Sequence, residues 1–308
     1  MSSRLHAFEA IDNFRDYGDY ATAAGRRVRP GRLLRSAHHA RASDADLARL
    51  KALGIGAVVD LRRPSERREQ PSRRPDAFDA VVIEGGTDDG VEAPHITFLK
   101  TEDLTAASGR RFMEQTYRAL PFDPPHLEVF ARYFQALGEV DRPVLIHCAA
   151  GKDRTGLLAA LTHALLGVAR DDMIEDYLLT NQAVDLAGRA PAIAEQLRRF
   201  TGRTASDEAV TAFLGVEAAY LEAALAEIEA RHGSVEAYLE QARGLVEGGA
   251  VGPARLLGGR QVAVDGCGGH GRRDCSGHPS RIGGPPRRSV IRPARGRRAV
   301  TPPGRGPG

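Results

Sequence analysis

The feature that most narrows what this chain can be is the stretch PVLIHCAAGKDRTGLLAALTHALLGV, residues 143–168. A short apolar run, opened by a proline, ends at His147-Cys148. Ala149, Ala150 and Gly151 follow with little or no side chain, and Lys152, Asp153 and Arg154 lead into a long apolar-striped segment. The pattern predicts a strand over 143–148, a tight loop, and a helix over 155–167. Strand, loop and helix in this order is where α/β proteins place ligands, beyond the carboxyl ends of the strands. Residues this small let successive backbone N–H groups turn toward one anion, beside the positive end of the helix dipole.

Each fixed position of the loop then has a chemical reason. A cysteine at the rim of such a nest favours its thiolate, the form that attacks phosphorus, because amide dipoles and nearby cations stabilise the anion. Arg154 closes the ring: a guanidinium can grip two phosphate oxygens at once, which an ammonium cannot. Thr155 is placed to give a hydroxyl hydrogen bond to the sulfur and make it a better leaving group. Lys152 stands out because all but three of the 43 basic residues are arginine, the other lysines being Lys51 and Lys100. Taken alone, a buried structural cysteine followed by an incidental arginine is the plainer reading. His147, Gly151, Thr155 and the strand–helix frame favour the catalytic one.

Around this loop, "IGAVVDL" (55–61) and "AVVIE" (80–84) read as further buried strands. Helices are expected over 43–53, capped by Ser43, and over 123–138, with Asp123 as cap, Pro124 at the first helical position and Gly138 as the stop. After the loop come helices over 155–167, 170–181, 189–199, 207–231 and 235–243. Alternating strands and helices followed by a helical half argue for an α/β domain. That domain is expected to span 1–246.

Residues 247–308 are a Gly/Arg/Pro-rich tail, and from Gly248 on it holds twelve arginines against two acids (Asp265 and Asp274). Such composition predicts disorder. Its charge could attract nucleic acid or an anionic membrane nonspecifically, and no specific nucleic-acid partner is expected. Cys267, His270, Cys275 and His278 have zinc-ligand chemistry, but no apolar residues surround them, and no metal or other cofactor is expected. No apolar run approaches the roughly 20 residues of a membrane helix and the start lacks a signal core, so the expected location is the cytoplasm.

The loop "HCAAGKDRTG" resembles the signature of cysteine-dependent protein tyrosine phosphatases, and more narrowly a bacterial tyrosine/lipid phosphatase group with His-Cys-x-x-Gly-Lys-Asp-Arg. "NFRDYG" (13–18), "GRLLRSAHHAR" (31–41), "LGIGAVVDLRRPSERREQP" (53–71), "DYLLTNQ" (176–182) and "GSVEAYLEQARGL" (233–245) follow that group's pattern in order. The resemblance implies a tyrosine-phosphatase-like fold with a central, mostly parallel sheet flanked by helices and a helical C-terminal half.

It also implies a phosphocysteine mechanism on Cys148 with phosphate as product, and substrate held by residues 149–154 (Ala149, Ala150, Gly151, Lys152, Asp153 and Arg154). Phosphotyrosine is the expected substrate, with phosphoserine, phosphothreonine and phosphoinositides as further candidates and Lys152 suited to inositol ring phosphates. The general acid is left open between Asp60 and Asp153; for Asp60 a salt-bridged strand-end carboxylate is the alternative. Arg15 and Asp16 fit a structural ion pair. Helices covering the site in that group make 185–200 a lid candidate, beside an ordinary core helix. Competing classes are a sulfurtransferase or arsenate reductase and a phosphate-binding module without turnover.

Overall fold

Three short runs of β-branched residues set the centre of the protein, whose computed structural model describes residues 4–86, 94–184, 186–247 and 264–266. They are β4 (Ala57–Asp60), β5 (Val81–Glu84) and β6 (Val144–His147), preceded by β1 (Arg15–Asp16), β2 (Arg26–Val28) and β3 (Leu33–Ser36). The main sheet has the order β1-β3-β6-β4-β5, parallel throughout except for β1. β6 lies at its middle, with Val144 opposite both Leu33 and Ala57 and His147 opposite both Ser36 and Asp60. Every residue of β3, β4 and β6 is buried, which is why those strands lack polar alternation.

Helices α1 (Asp44–Ala52), α2 (Pro64–Glu69), α3 (Pro94–Thr101), α4 (Ala106–Ala119) and α5 (Pro124–Glu139) precede β6. After it come α6 (Asp153–Leu165), α7 (Arg170–Ala183), α8 (Leu186–Thr201), α9 (Asp207–Leu214), α10 (Ala218–His232) and α11 (Val235–Glu247). One core joins Ile146 and Val59 of the sheet to Tyr133 and Phe130 of α5, Leu157 and Leu161 of α6, and Leu221 and Leu225 of α10. A second, around Ile11, Phe14, Leu34, Leu50 and Val58, fills the opposite face. Helices on both faces of a mostly parallel sheet are the α/β arrangement expected.

Three expectations change. Ser43 caps α1 as read, accepting the Asp46 amide, but Asp123 makes no side-chain cap to α5 because its carboxylate pairs with His126 Nδ1 at 3.1 Å. Gly138 does not stop α5, which runs on to Glu139. The single helix expected over 207–231 is two, broken at Gly215, where the Asn181 side chain bonds the amide and carbonyl of Val216 at 2.9 and 2.8 Å. This apolar stretch has a mean hydropathy of 1.4 over an 18-residue window, and half of that window is buried in the fold. Helix α11 reaches Glu247, and β7 (Val264–Gly266) pairs antiparallel with β2. The rest of the tail, with the candidate zinc ligands Cys267, His270, Cys275 and His278, lies outside the described residues.

Candidate active site

The loop between β6 and α6 is held from behind. The amide of His38 donates to Ala149 O at 3.1 Å, and Asn13 Nδ2 donates to Ala150 O and Gly151 O at 3.2 and 2.8 Å. Arg35 Nη2 adds a second bond to Gly151 O at 3.1 Å. A planar trans peptide points its N–H away from its carbonyl, so tying three successive carbonyls outward turns the amides of Ala150, Gly151 and Lys152 to the other side. Among the described residues none accepts a hydrogen bond from the amides of Ala149 to Thr155. Gly151 is required here: its φ is +65°, and a Cβ would lie 2.3 Å from Ser36 O.

Behind the loop stands a buried charge cluster. Arg35 Nη1 donates to Asp176 Oδ2 at 2.6 Å, and Arg15 Nε reaches Asp176 Oδ1 at 3.4 Å. Both guanidinium side chains are fully enclosed. Arg15 also donates to Asp176 O, Thr180 Oγ1 and the Asn13 side chain. Burial, and then the neighbouring Arg35, lower Arg15 to about 9 against the opposing pull of Asp176. Burial works against ionised Asp176, yet the two arginines keep its carboxyl below the usual range. The expected Arg15–Asp16 pair is therefore not formed: Asp16 instead takes the amides of Gly18 and Gly31. Successive residues of a strand face opposite sides, which separates the two.

In the first turn of α6, Arg154 is anchored by a residue that the sequence reading passed over. Its Nη1 donates to Leu61 O at 3.0 Å and to Glu66 Oε2 at 2.6 Å, and its Nη2 to Glu66 Oε1 at 2.8 Å. These bonds use three of the five guanidinium N–H groups. The two that remain, on Nε and Nη2, share one edge, the fork that fits two oxygens of a phosphate. Burial opposes the charge on Arg154, but the bond to Glu66 holds its pKa above normal. Burial likewise disfavours ionised Glu66, and Arg154 more than offsets it, holding the carboxyl at about 2.

Cys148 is buried at the end of β6 and is a free thiol. Thr155 Oγ1 is also buried and has no hydrogen-bond partner, so the expected bond from Thr155 to the sulfur is not made. Asp60, opposite His147 in the neighbouring strand, is locked to Arg62: Nε and Nη2 reach its two oxygens at 2.9 and 2.7 Å, and the Arg62 amide adds a third contact. Burial would raise this carboxyl, but His147 and Arg62 bring it down to about 2. His147 itself is lowered to about 4, mainly by burial, and its ring lies 4.5 Å from that of His39.

Lys152 is neither solvent-facing nor free. Its Nζ donates to Phe213 O at 2.9 Å and lies 3.5 Å from Asp153 Oδ1. Asp153 keeps 31 % of its side chain exposed and accepts the Tyr117 hydroxyl at 2.9 Å. From Leu186 on, the lid candidate 185–200 lies in α8, which packs with α9 in a small cluster of its own around Ala190, Ala209 and Val210 and is tied to Asp12 through Arg189. Among the described residues no group of three or more His, Cys, Asp or Glu is placed to hold a metal ion.

A thiol, a ring of unpaired amides and a two-pronged guanidinium edge suit a tetrahedral oxyanion, and the comparisons with known proteins agree. Residues 6–248 match the family model described as the tyrosine phosphatase family. A putative tyrosine-protein phosphatase of Cupriavidus necator is 39% identical over 239 residues, 77% of this chain and 83% of that one. The triple specificity protein phosphatase PtpB of Mycobacterium tuberculosis is 36% identical over 260 residues, 75% of this chain and 91% of its own length. A tyrosine-protein phosphatase of Nostoc commune is 31% identical over 150 residues, about half of each chain. The chain belongs to the tyrosine phosphatase family, and its activity is that of a phosphatase.

Proposed function

We propose that the protein hydrolyses phosphotyrosine through a phosphocysteine on Cys148. The observation that carries this is the pairing of the unpartnered 149–155 amides with the open Nε/Nη2 edge of Arg154. Both are set to bind the equatorial oxygens of a transferring phosphoryl group. The Cys148 thiolate attacks phosphorus, the phosphorus–oxygen bond to tyrosine breaks, and a general acid protonates the departing phenoxide. Water then attacks the phosphocysteine, the same residue takes its proton, and the sulfur leaves with release of phosphate.

Asp153 is the acid. Asp60 is a poor donor, because a carboxyl held at about 2 and gripped on both oxygens by Arg62 carries no proton to give near neutrality. Its role is to neutralise Arg62 beside His147. The name of the Mycobacterium tuberculosis relative records three specificities, and we extend the substrate range here to phosphoserine, phosphothreonine and phosphoinositides. For an inositol ring phosphate, Lys152 Nζ would exchange Phe213 O for the anion. Purified protein assayed on a phosphotyrosyl peptide and on a phosphoinositide should release phosphate from both. Inactivity on the peptide overturns the principal reading, and inactivity on the lipid alone overturns the extension.

A further inference from the structure

Helices α4 and α7 send two buried tyrosines to the loop, and the phosphoryl-transfer steps above use neither. Tyr177 Oη donates to Tyr117 Oη at 2.6 Å, and Tyr117 Oη donates to Asp153 Oδ1 at 2.9 Å. The rings meet edge to face, their centroids 6.0 Å apart. Both are closed off from solvent. Room for this chain is made at Gly156 in α6, where a Cβ would stand 2.9 Å from the Tyr177 ring. Tyr177 directly follows Asp176, so one turn of α7 serves the loop twice. Asp176 holds Arg35 against Gly151 O, and Tyr177 reaches Asp153 through Tyr117.

The two carboxylate oxygens of Asp153 are thereby made unequal. Oδ1 receives the Tyr117 hydroxyl and faces Lys152 Nζ at 3.5 Å. Oδ2 has no hydrogen-bond partner among the described residues. A phenol has one proton, and the Tyr117 proton is directed to Asp153 because Tyr177 fills the acceptor side of its oxygen. An oxygen already accepting a hydroxyl and facing an ammonium is the poorer place for an acid proton. We propose that Tyr117, backed by Tyr177, is a positioning residue that confines the acid proton to Oδ2 of Asp153 and holds that oxygen in place for the leaving group. This rests on Asp153 being the general acid. Burial, and then the charge on Asp153, keep the Tyr117 hydroxyl protonated far into the alkaline range, so it remains a donor throughout catalysis.

The test compares two substrates that differ only in how much they need an acid. Phenyl phosphate expels a phenoxide that requires protonation, whereas dinitrophenyl phosphate expels a stable anion unaided. Asp153→Asn sets the scale: its kcat/KM, which reports only the steps through departure of the leaving group, should fall about 100-fold or more on phenyl phosphate, the contribution of a general acid, and less than about 3-fold on dinitrophenyl phosphate. Tyr117→Phe removes the hydroxyl and keeps the ring. It should cost about 10-fold on phenyl phosphate and almost nothing on dinitrophenyl phosphate, since misplacing a reacting group by a fraction of an ångström has that effect.

Added to Asp153→Asn, the Tyr117→Phe change should cost nothing more on phenyl phosphate. Should Tyr117→Phe not fold, Tyr177→Phe takes its place, with a smaller loss of about 3-fold confined to phenyl phosphate. Equal losses on both substrates, no loss on phenyl phosphate, or a full further loss in the Asp153→Asn background overturns the positioning role. An Asp153→Asn variant without leaving-group dependence instead overturns the assignment of the acid.

Discussion

Consider replacing Asp176 by asparagine. The side chain keeps its size, but the one negative charge between two fully buried guanidinium groups is lost, and an amide N–H₂ must face an arginine N–H in place of an oxygen. Arg35 loses its 2.6 Å partner and Arg15 its 3.4 Å partner. Removing one member of a buried ion pair costs about 3–5 kcal/mol because the remaining charge is uncompensated. One carboxylate serves two arginines here, and they already repel each other enough to help bring Arg15 down to about 9, so the upper end applies. A domain of this size loses roughly 2–4 °C of Tm per kcal/mol, which gives about 10–20 °C. Activity should fall even where the variant is folded, because Arg35 also holds Gly151 O at 3.1 Å. The assay is urea unfolding at pH 7 together with phosphatase rates at 20 °C. As control, Asp12→Asn breaks an ion pair with Arg189 whose side chains are 45–50 % exposed, and should cost about 0.5 kcal/mol or less. A loss under about 1 kcal/mol for Asp176→Asn would refute the reasoning, since a buried pair would then behave like a surface one.

Other outcomes follow from the same contacts. Gly151→Ala should lower kcat/KM by about 100-fold or more, because its Cβ would collide with Ser36 O at a positive φ and displace the amides that bind phosphate. Glu66→Gln should weaken the grip on Arg154 and cost about 10-fold in kcat/KM, measured on a phosphotyrosyl peptide with the fold checked by circular dichroism. On the acid side, His147 has a folded pKa of about 4 against an ordinary 6.5. The unfolded chain therefore binds more protons between those values, and stability should drop as pH falls from about 6.5 toward 4. His39, lowered well below its normal value chiefly by burial, acts in the same direction. Asp60 and Glu66, both held near 2, extend the loss below about pH 4.5. Urea midpoints between pH 7 and 3 measure this, and a flat profile would contradict it.

The loop was legible because its chemistry is contiguous: nucleophile, small residues and arginine lie within seven positions, and strand β6 is an unbroken apolar run. Strand β3 was not legible, since Leu33-Leu34-Arg35-Ser36 ends in an arginine that is buried only because Asp176 waits 141 residues away. Glu66 sits in RPSERRE, which reads as a solvated charged turn, and only the fold brings it to Arg154. Glu66 does accept the Arg63 amide at 2.7 Å, but an arginine has no side-chain acceptor to return the bond, so no capping-box signature marked this acid in the sequence. Tyr117 and Tyr177 are single tyrosines on separate helices; Tyr177 lies in the DYLLTNQ segment singled out above, but nothing in the sequence pairs it with Tyr117 or sends either to Asp153. Lys152 was conspicuous by rarity, yet its partner is the carbonyl of Phe213, a backbone atom that no side-chain pattern records. The break at Gly215 was hidden because the apolar period runs on through it.

The central claim is that the sulfur of Cys148 takes the phosphoryl group. The direct measurement is peptide mapping by mass spectrometry of the Asp153→Asn variant, acid-quenched during turnover of dinitrophenyl phosphate. With that leaving group the first step needs no acid, while the second lacks its base, so the intermediate should accumulate. The account predicts one phosphoryl group per chain, on the peptide that contains Cys148. Turnover with Cys148 unmodified, or with the phosphoryl group on another residue, would contradict it.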